Sequence, residues 1–205
     1  MGFSMSTQLE KVKKVLAKVA TELYRNDVDF VVIGSFVIPL LYNVPWSTYD
    51  IDLFITNKST VAEYELFEKI AIENGWDVGT TPYGTPYYEI YYDGEVIRID
   101  LLENVYDIYV PKRIIERAKE VNVEGVKIKV IRLEDQLVLK ARAASEEDVS
   151  FLKSILEKLV RKNLVKITIG NIEEAIQAFP ETEQNSIRRR LALVGFYTTL
   201  SEKFE

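Results

Sequence analysis

The chain has 205 residues, of which 47% are hydrophobic and 28% are charged, with a formal net charge of −6. It contains neither cysteine nor histidine, which excludes a disulfide framework, a thiol nucleophile, a histidine base and a histidine metal site, so that any metal site must use carboxylates. No apolar run approaches the roughly 20 residues of a membrane span and no signal-peptide pattern occurs, which predicts a soluble, cytoplasmic protein.

The first predicted elements form a helix, a strand and a turn. Apolar residues spaced by three and four predict an amphipathic helix over residues 7–25, and the apolar run at 30–33 predicts a buried strand. That strand ends at Gly34 and Ser35. Glycine lets a phosphate approach the backbone closely, and Ser35 can cap the short apolar helix predicted for residues 36–42. We therefore expect a phosphate-binding turn at this point.

A second apolar strand carries Asp50 and Asp52, two positions apart. Both carboxylates leave the same face of the strand, while Ile51 and Leu53 leave the other. Two like charges side by side are costly unless a cation lies between them, and hard oxygen ligands suit Mg²⁺ or Mn²⁺. The alternative is that both aspartates lie on the solvated face of an edge strand. The glycine-serine turn upstream favours a metal and nucleotide site.

The sequence next predicts a helix and a β-hairpin. Thr60 and Glu63 form a capping-box pattern, which predicts that a helix begins here and ends at Asn74-Gly75. Two runs rich in tyrosine and branched residues, at 87–92 and 96–102, are joined by Asp93-Gly94, which is a strong signal for a hairpin with a two-residue loop.

A two-residue loop determines which hairpin residues face each other. Tyr87 would lie opposite Asp100, and Glu89 opposite Arg98. Asp100 would then share a face with Arg98 and interrupt an otherwise apolar strand. If this strand lies beside the one that carries the paired aspartates, three carboxylates converge.

The rest of the sequence predicts mainly helices. Residues 111–120 predict a helix and 126–131 a short strand, and residues 133–144 predict a helix that carries Lys140. Further helices are predicted at 147–160, 171–178 and 182–203. These patterns suggest a mixed α/β domain at 1–132 and a helical part at 133–205.

Three of these features occur together in a known superfamily. The Gly34-Ser35 turn after an apolar strand, the run Asp50-Ile51-Asp52, and Asp100 on a later strand resemble the signature of the DNA polymerase β-type nucleotidyltransferases. The resemblance covers about residues 28–152. It implies an α+β fold with a small mixed sheet flanked by helices, followed by a helical C-terminal part.

Within that superfamily the chain is similar to the minimal and abortive-infection-toxin-like branch. The run Pro45-Trp46-Ser47-Thr48-Tyr49-Asp50-Ile51-Asp52 resembles the Pro-Arg-x-Thr-x-Asp-h-Asp pattern of that branch, and the segment from Leu133 to Lys140 resembles its lysine helix. Trp46 stands where the branch usually has arginine. A lysine-aspartate pair expected after the lysine helix is not evident at residues 145–148.

The resemblance implies transfer of a nucleoside monophosphate from an NTP such as ATP to a hydroxyl acceptor, with release of pyrophosphate. It assigns catalysis and the binding of Mg²⁺ or Mn²⁺ to Asp50, Asp52 and Asp100. It assigns nucleotide binding to Gly34, Ser35, Thr48 and Lys140.

The acceptor stays open at this point. One interpretation is a macromolecule, either tRNA or protein, with the chain acting as the toxin of a toxin–antitoxin pair. A small molecule of the antibiotic type is a second, and a catalytically inactive nucleotide-binding protein is a third. The basic run Arg188-Arg189-Arg190 could contact RNA, although such runs usually form the solvated face of a helix.

Overall fold

The structure is a computed structural model that describes residues 5–44, 46 and 50–201, with the backbone alone for residues 5–7. It divides into two compact units, one formed by Met1–Tyr109 with Ala118–Ile131 and the other by Val110–Arg117 with Arg132–Glu205. The predicted boundary after residue 132 lies next to the start of the longer segment of the second unit. The short segment Val110–Arg117 also belongs to that unit.

The first unit is built around a mixed sheet, which has seven strands among the described residues. Its strands are β1 (Phe30–Ile33), β2 (Asp50–Ile55), β3 (Asp77–Thr80), β4 (Pro86–Tyr92), β5 (Glu95–Leu102), β6 (Lys119–Val123) and β7 (Val126–Val130). Their order is β3-β4-β5-β2-β1-β7-β6. β2 is parallel to β5 and β1 is parallel to β7, whereas the other neighbours are antiparallel.

The sheet is flanked by the helices α1 (Met5–Arg25), α2 (Val37–Tyr42) and α3 (Tyr64–Asn74). The apolar stripe of α1 is buried, as its spacing predicted, with Val15, Leu16 and Leu23 at most 1% exposed. This helix contacts β4, β6 and β7, and α3 contacts β3 and β4. Burial of one apolar stripe on each helix is the main favourable contribution to this packing.

The second unit is helical. It contains α4 (Lys112–Glu116), α5 (Leu133–Ala143), α6 (Glu146–Ile155) with a π-helical continuation (Leu156–Val160), α7 (Ile169–Ile176), α8 (Glu181–Val194) and α9 (Phe196–Ser201). α5 contacts α6, α7 and α8. The helix predicted over 182–203 is interrupted at Gly195, whose φ of 101° ends α8. The α+β fold with a mixed sheet, flanking helices and a helical C-terminal part is thus confirmed.

The prediction of one helix over 111–120 is wrong for its second half. α4 ends at Glu116, and Lys119–Val123 forms the edge strand β6, which pairs with β7. Its sequence, Lys-Glu-Val-Asn-Val, has only two apolar residues, and four of its five residues are exposed or half-buried. The local signal for a strand is therefore weak. The neighbouring strand supplies the hydrogen bonds that define β6.

The capping box predicted at Thr60 and Glu63 is also misplaced. α3 begins only at Tyr64, and no side-chain hydrogen bond caps it. The turn before it is held by Ser59, whose Oγ accepts the N–H of Ala62 at 3.1 Å. No helix within the described ranges is long and apolar enough to cross a membrane.

Candidate active site

The site lies on one face of the sheet where β2 and β5 run side by side. Asp52 pairs in register with Asp100, and Asp50 pairs with Arg98. Neighbouring strands lie about 4.8 Å apart, and residues paired in this way project to the same face. The predicted adjacency of these two strands is confirmed, whereas the convergence of their three carboxylates stays a prediction. We call the surface formed by Asp50, Asp52, Arg98 and Asp100 the carboxylate face.

The hairpin brings two more side chains to this face. Tyr87 is opposite Asp100 and Glu89 is opposite Arg98, as the two-residue loop predicted. The loop residue Asp93 has a φ of 48°, in the left-handed region that such a tight hairpin requires. The sequence therefore determined both the strand pairing and the register that place Asp100.

Gly34 lies directly against one of these carboxylates. Its φ is 76°, and a Cβ at this position would come within 1.9 Å of Asp52 Oδ2. Both the backbone conformation and the close approach therefore require glycine. The turn after β1 brings bare backbone to the carboxylate face, which is the property that the sequence analysis attributed to it.

Ser35 does not cap the following helix. α2 begins at Val37 with Phe36 in the N-cap position, and no side-chain hydrogen bond caps it. The carbonyl of Ser35 accepts the N–H of Ile38 at 3.3 Å. The helix starts one residue later than predicted because the turn after Gly34 continues through Phe36.

Arg98 is the site residue that the sequence analysis did not assign. Its Nε donates to Asp100 Oδ1 at 2.7 Å, and its guanidinium carbon lies 3.7 Å from the centroid of the Tyr87 ring. Burial lowers the pKa of Arg98, but the hydrogen bond to Asp100 and the charges of Asp100 and Asp50 outweigh it and raise that pKa above its ordinary value. The predicted hairpin register already placed Arg98 on the face of Asp100, and that signal could have identified it.

The donor set of this face suits a hard divalent cation, because it consists of carboxylate oxygens beside a turn of bare backbone. Within the parts of the chain that the structure describes, no three acidic side chains form a ready-made metal site. Asp100 directs one oxygen to Arg98 rather than toward its acidic neighbours. The residues therefore fit a divalent cation in chemistry, and Arg98 occupies one of the two Asp100 oxygens that could act as ligands.

Two predicted nucleotide contacts stay predictions. Thr48 is outside the described residues. Lys140 lies on α5 of the second unit, where its Nζ is 2.7 Å from Asp148 Oδ1. The other oxygen of Asp148 accepts the N–H of Ser145 at 3.1 Å, which caps α6. Lys140 thus forms an ion pair with Asp148, a residue of the capping box of the next helix. The sequence did not reveal this pair.

Glu103 has a structural role at the end of β5. Its carboxylate accepts the N–H of Thr60 at 2.9 Å and the hydroxyl of Ser59 at 3.1 Å. It therefore orders the turn before α3 in place of the predicted capping box. A cavity of about 460 Å³ adjoins it, lined by Ser59, Val61, Ala62, Tyr83, Glu103, Val105 and Tyr106.

The basic run at 188–190 is partly engaged inside the second unit. Arg188 Nε donates to Glu173 Oε2 at 2.8 Å, and Arg190 Nη1 donates to the carbonyl of Ala141 at 3.0 Å. Arg190 thereby binds carbonyl groups at the C-terminal end of α5. Two of the three arginines thus support helix packing, and Arg189 is exposed.

The family of the chain follows from a comparison of sequences. The sequence model of the family described as "Nucleotidyl transferase of unknown function (DUF2204)" matches residues 12–193. The chain belongs to this family. It is therefore a nucleotidyltransferase, as the sequence analysis predicted. A comparison with curated proteins gave no match.

A comparison with solved structures found proteins of similar fold. An antigenic nucleotidyltransferase-like protein from Paracoccidioides brasiliensis is 17% identical, with a TM-score of 0.56 over 94% of this chain and 91% of that one. The antibiotic-resistance factor ANT(2'')-Ia is 14% identical over 98% of both chains, with a TM-score of 0.47. A CCA-adding enzyme in complex with CTP is 15% identical, with a TM-score of 0.36 over 91% of this chain and 51% of that one. The first of these supports the nucleotidyltransferase fold.

Proposed function

We propose that this enzyme transfers a nucleoside monophosphate from an NTP to a hydroxyl acceptor, releases pyrophosphate, and requires Mg²⁺ or Mn²⁺. The observation that carries the proposal is the carboxylate face, where Asp52 lies beside Asp100 in register and against the backbone of Gly34. Carboxylates of adjacent strands next to a bare glycine turn provide cation ligands and a place for phosphate in one small region.

Each of these residues has a proposed role. Asp50, Asp52 and Asp100 would hold the cations. Bound there, divalent cations neutralise triphosphate charge and lower the pKa of an acceptor hydroxyl. Asp100 would orient that hydroxyl and accept its proton, because the chain has no histidine to do so. The backbone after Gly34, together with Ser35, would contact the phosphates.

The two remaining predicted contacts stay proposals. Thr48 would reach the nucleotide from the segment just before β2. The ammonium group of Lys140 would pair with the triphosphate, and for this it would have to leave its present partner, Asp148. A Lys140→Met variant separates the two roles, because loss of nucleotide affinity without loss of stability would favour the nucleotide contact.

For the acceptor we propose a macromolecule, either tRNA or protein, with a toxin role in the manner of the abortive-infection branch. This rests on the Asp-Ile-Asp run and the lysine helix. The net charge of −6 and the internal partners of Arg188 and Arg190 favour protein over tRNA, because nucleic-acid binding depends on free cationic side chains. The same acidic surface suits a cationic small molecule as the second candidate.

Thermal denaturation tests the metal and nucleotide proposal. We expect NTP with Mg²⁺ to raise the melting temperature of the wild type, and EDTA to abolish the increase. Asp52→Asn should abolish it as well. Asp77→Asn is the matched control, because Asp77 is an exposed carboxylate on the edge strand β3 of the same sheet. An increase that persists unchanged in EDTA would contradict the role of the metal.

The acceptor can be found by labelling. Radiolabelled NTPs are incubated with the protein and either total RNA or cell lysate, and the label is followed into RNA, protein or small molecules. Each of the three destinations identifies one acceptor class. Failure to label any fraction, with nucleotide binding intact, would favour an inactive nucleotide-binding protein.

A further inference from the structure

The carboxylate face includes one positively charged side chain, that of Arg98. Arg98 is the basic residue of β2 and β5, and it lies between carboxylates of both strands: it is hydrogen-bonded to Asp100 and in register with Asp50. Without it, three carboxylates on neighbouring positions would repel one another. Arg98 therefore reduces the repulsion among these carboxylates, as a bound metal cation would.

Arg98 is held in this position by an aromatic stack. The guanidinium lies over the ring of Tyr87, and that ring lies across Gly79 on β3, where a Cβ would come within 2.3 Å of Tyr87 Cζ. Only glycine at position 79 allows the ring to lie so close to the strand. The stack of Gly79, Tyr87 and Arg98 thus presents a fixed guanidinium to Asp100.

The pair is nevertheless open to exchange. The Arg98 and Asp100 side chains are 34% and 22% exposed, so water and ions reach both groups. An ion pair at this degree of exposure carries much less desolvation cost than a buried one, and either partner can be replaced by another charged group.

We propose that Arg98 holds Asp100 until a divalent cation replaces the guanidinium at that carboxylate. The released guanidinium then binds the triphosphate of the nucleotide. The inference rests on the proposed function, whose cation ligands it uses. Arg98 and the cation compete for the same carboxylate, so the free cation binds weakly to the protein alone. The triphosphate gives the guanidinium an alternative anionic partner that it can bind in bidentate geometry. Cation and nucleotide binding are therefore cooperative.

Manganese binding measures this competition without any need for activity. Free Mn²⁺ is titrated by electron paramagnetic resonance against the wild type and Arg98→Met in the absence of nucleotide. Binding of a non-hydrolysable NTP analogue is then measured by calorimetry at saturating Mn²⁺. We expect Arg98→Met to bind free Mn²⁺ about tenfold more tightly and the analogue about tenfold more weakly, on the scale of a charged hydrogen bond. General damage to the site would weaken both.

Two control variants distinguish the specific contact between Arg98 and Asp100 from a general effect of positive charge on Mn²⁺ affinity. Arg25→Met removes the same charge from α1, where Arg25 pairs with Glu22, and it should leave Mn²⁺ affinity within about twofold of the wild type, because exposed charges beyond about 10 Å are screened. Tyr87→Leu keeps every charge but removes the ring, and should tighten Mn²⁺ binding about two- to fivefold, on the scale of a cation–π contact.

The proposal is overturned if Arg98→Met binds free Mn²⁺ no more tightly than Arg25→Met, or if Tyr87→Leu binds it as the wild type does. Circular dichroism melting checks that each variant is folded, and Arg98→Gln replaces Arg98→Met if the latter is not. A wild type that binds Mn²⁺ neither alone nor with nucleotide would overturn the proposed function itself. A wild type that binds Mn²⁺ with nucleotide, while Arg98→Met shows no gain, would overturn only the competition.

Discussion

Two arginine–aspartate clusters in the molecule differ in their exposure to water. In the second unit, Asp135 is 0% exposed and accepts hydrogen bonds from both Arg117 and Arg132. On the carboxylate face, Asp100 is partly exposed and accepts a hydrogen bond from Arg98. The residue types are the same, but the first carboxylate has no access to solvent and the second has.

Exposure determines what each cluster can do. A carboxylate without solvent access cannot exchange its partners, because removal of one leaves a buried charge that costs several kcal/mol. A partly exposed carboxylate can change partners at modest cost, since water replaces the lost hydrogen bond. We therefore interpret the Asp135 cluster as structural and the Asp100 pair as the exchangeable part of the candidate active site.

The largest effect is expected at the buried cluster. Asp135→Asn leaves Arg117 and Arg132 facing a neutral amide in an interior position, and should lower the free energy of unfolding by about 3–5 kcal/mol. Urea denaturation followed by circular dichroism measures the loss. Glu174→Gln is the control, because Glu174 pairs with the same two arginines from an exposed position and should cost less than about 1 kcal/mol. Equal losses in the two variants would contradict the distinction by exposure.

Asp100→Asn should show the opposite behaviour. The amide keeps the size of the side chain but removes its charge, so transfer should fall by on the order of 10²-fold, the scale of a single catalytic group. Stability should change by less than about 1 kcal/mol because Arg98 and Asp100 are both partly exposed. Affinity for the NTP with Mg²⁺ should stay close to normal, since in the proposed function Asp50, Asp52 and the turn at Gly34 would hold the triphosphate.

Kinetics and denaturation on one preparation separate these outcomes. Transfer is measured with the acceptor found by labelling, and nucleotide affinity by calorimetry. Unchanged transfer in Asp100→Asn would mean that the third carboxylate has been misassigned. Glu89, which lies opposite Arg98 on the hairpin, would then be the next candidate.

The fold could be predicted from the sequence wherever a segment has one apolar side. The spacing in α1 and the Asp-Gly turn of the hairpin determine their structures locally, and the hairpin register followed from loop length alone. β3 and β6 were missed because both are short, polar edge strands. Their structure depends on hydrogen bonds from a neighbouring strand, and no local pattern encodes that neighbour.

The strand positions of the carboxylates and of Arg98 in the candidate site were predictable, but the contacts that hold Arg98 were not. The alternation of side chains predicted that Asp50 and Asp52 share one face of their strand. The hairpin register predicted that Asp100 and Arg98 share one face of theirs. The stack on Tyr87 could not be predicted, because it depends on Gly79 in an unpredicted strand. Lys140 was assigned from resemblance alone, and its pair with Asp148 depends on how two successive helices pack.

Gly34→Ala tests the carboxylate face without altering any charge. The substitution forces a Cβ into the left-handed region and against Asp52 Oδ2, so we expect a loss of at least the roughly 1–2 kcal/mol of backbone strain and loss of the nucleotide-dependent rise in melting temperature. Gly75→Ala is the matched control, because Gly75 has a φ of 67° but nothing within 4 Å of its Cβ position. It should show the strain alone and keep the nucleotide response. Equal responses in the two variants would mean that the close approach of Asp52 is unimportant.

The smallest effect is expected at a third ion pair, which extends the comparison to a carboxylate that is mostly exposed. Lys11 on α1 lies 2.8 Å from the Asp93 carboxylate in the hairpin loop, and that carboxylate is 69% exposed. The hydrogen bond from Lys11, and then its charge, lower the pKa of Asp93 below its ordinary value. Because the folded-state pKa is the lower one, the pair stabilises the protein above the ordinary carboxyl pKa, and the contribution disappears as the pH falls through the lowered value.

Carbon NMR of the Asp93 carboxyl should show its pKa rising toward the ordinary value in Lys11→Met but not in Lys13→Met, whose lysine pairs with Glu10. Since exposed pairs contribute little and are screened by salt, the difference between the two variants should shrink in about 1 M NaCl, whereas the loss in Asp135→Asn should not. A salt-insensitive difference at Asp93 would show that exposure does not rank these three pairs.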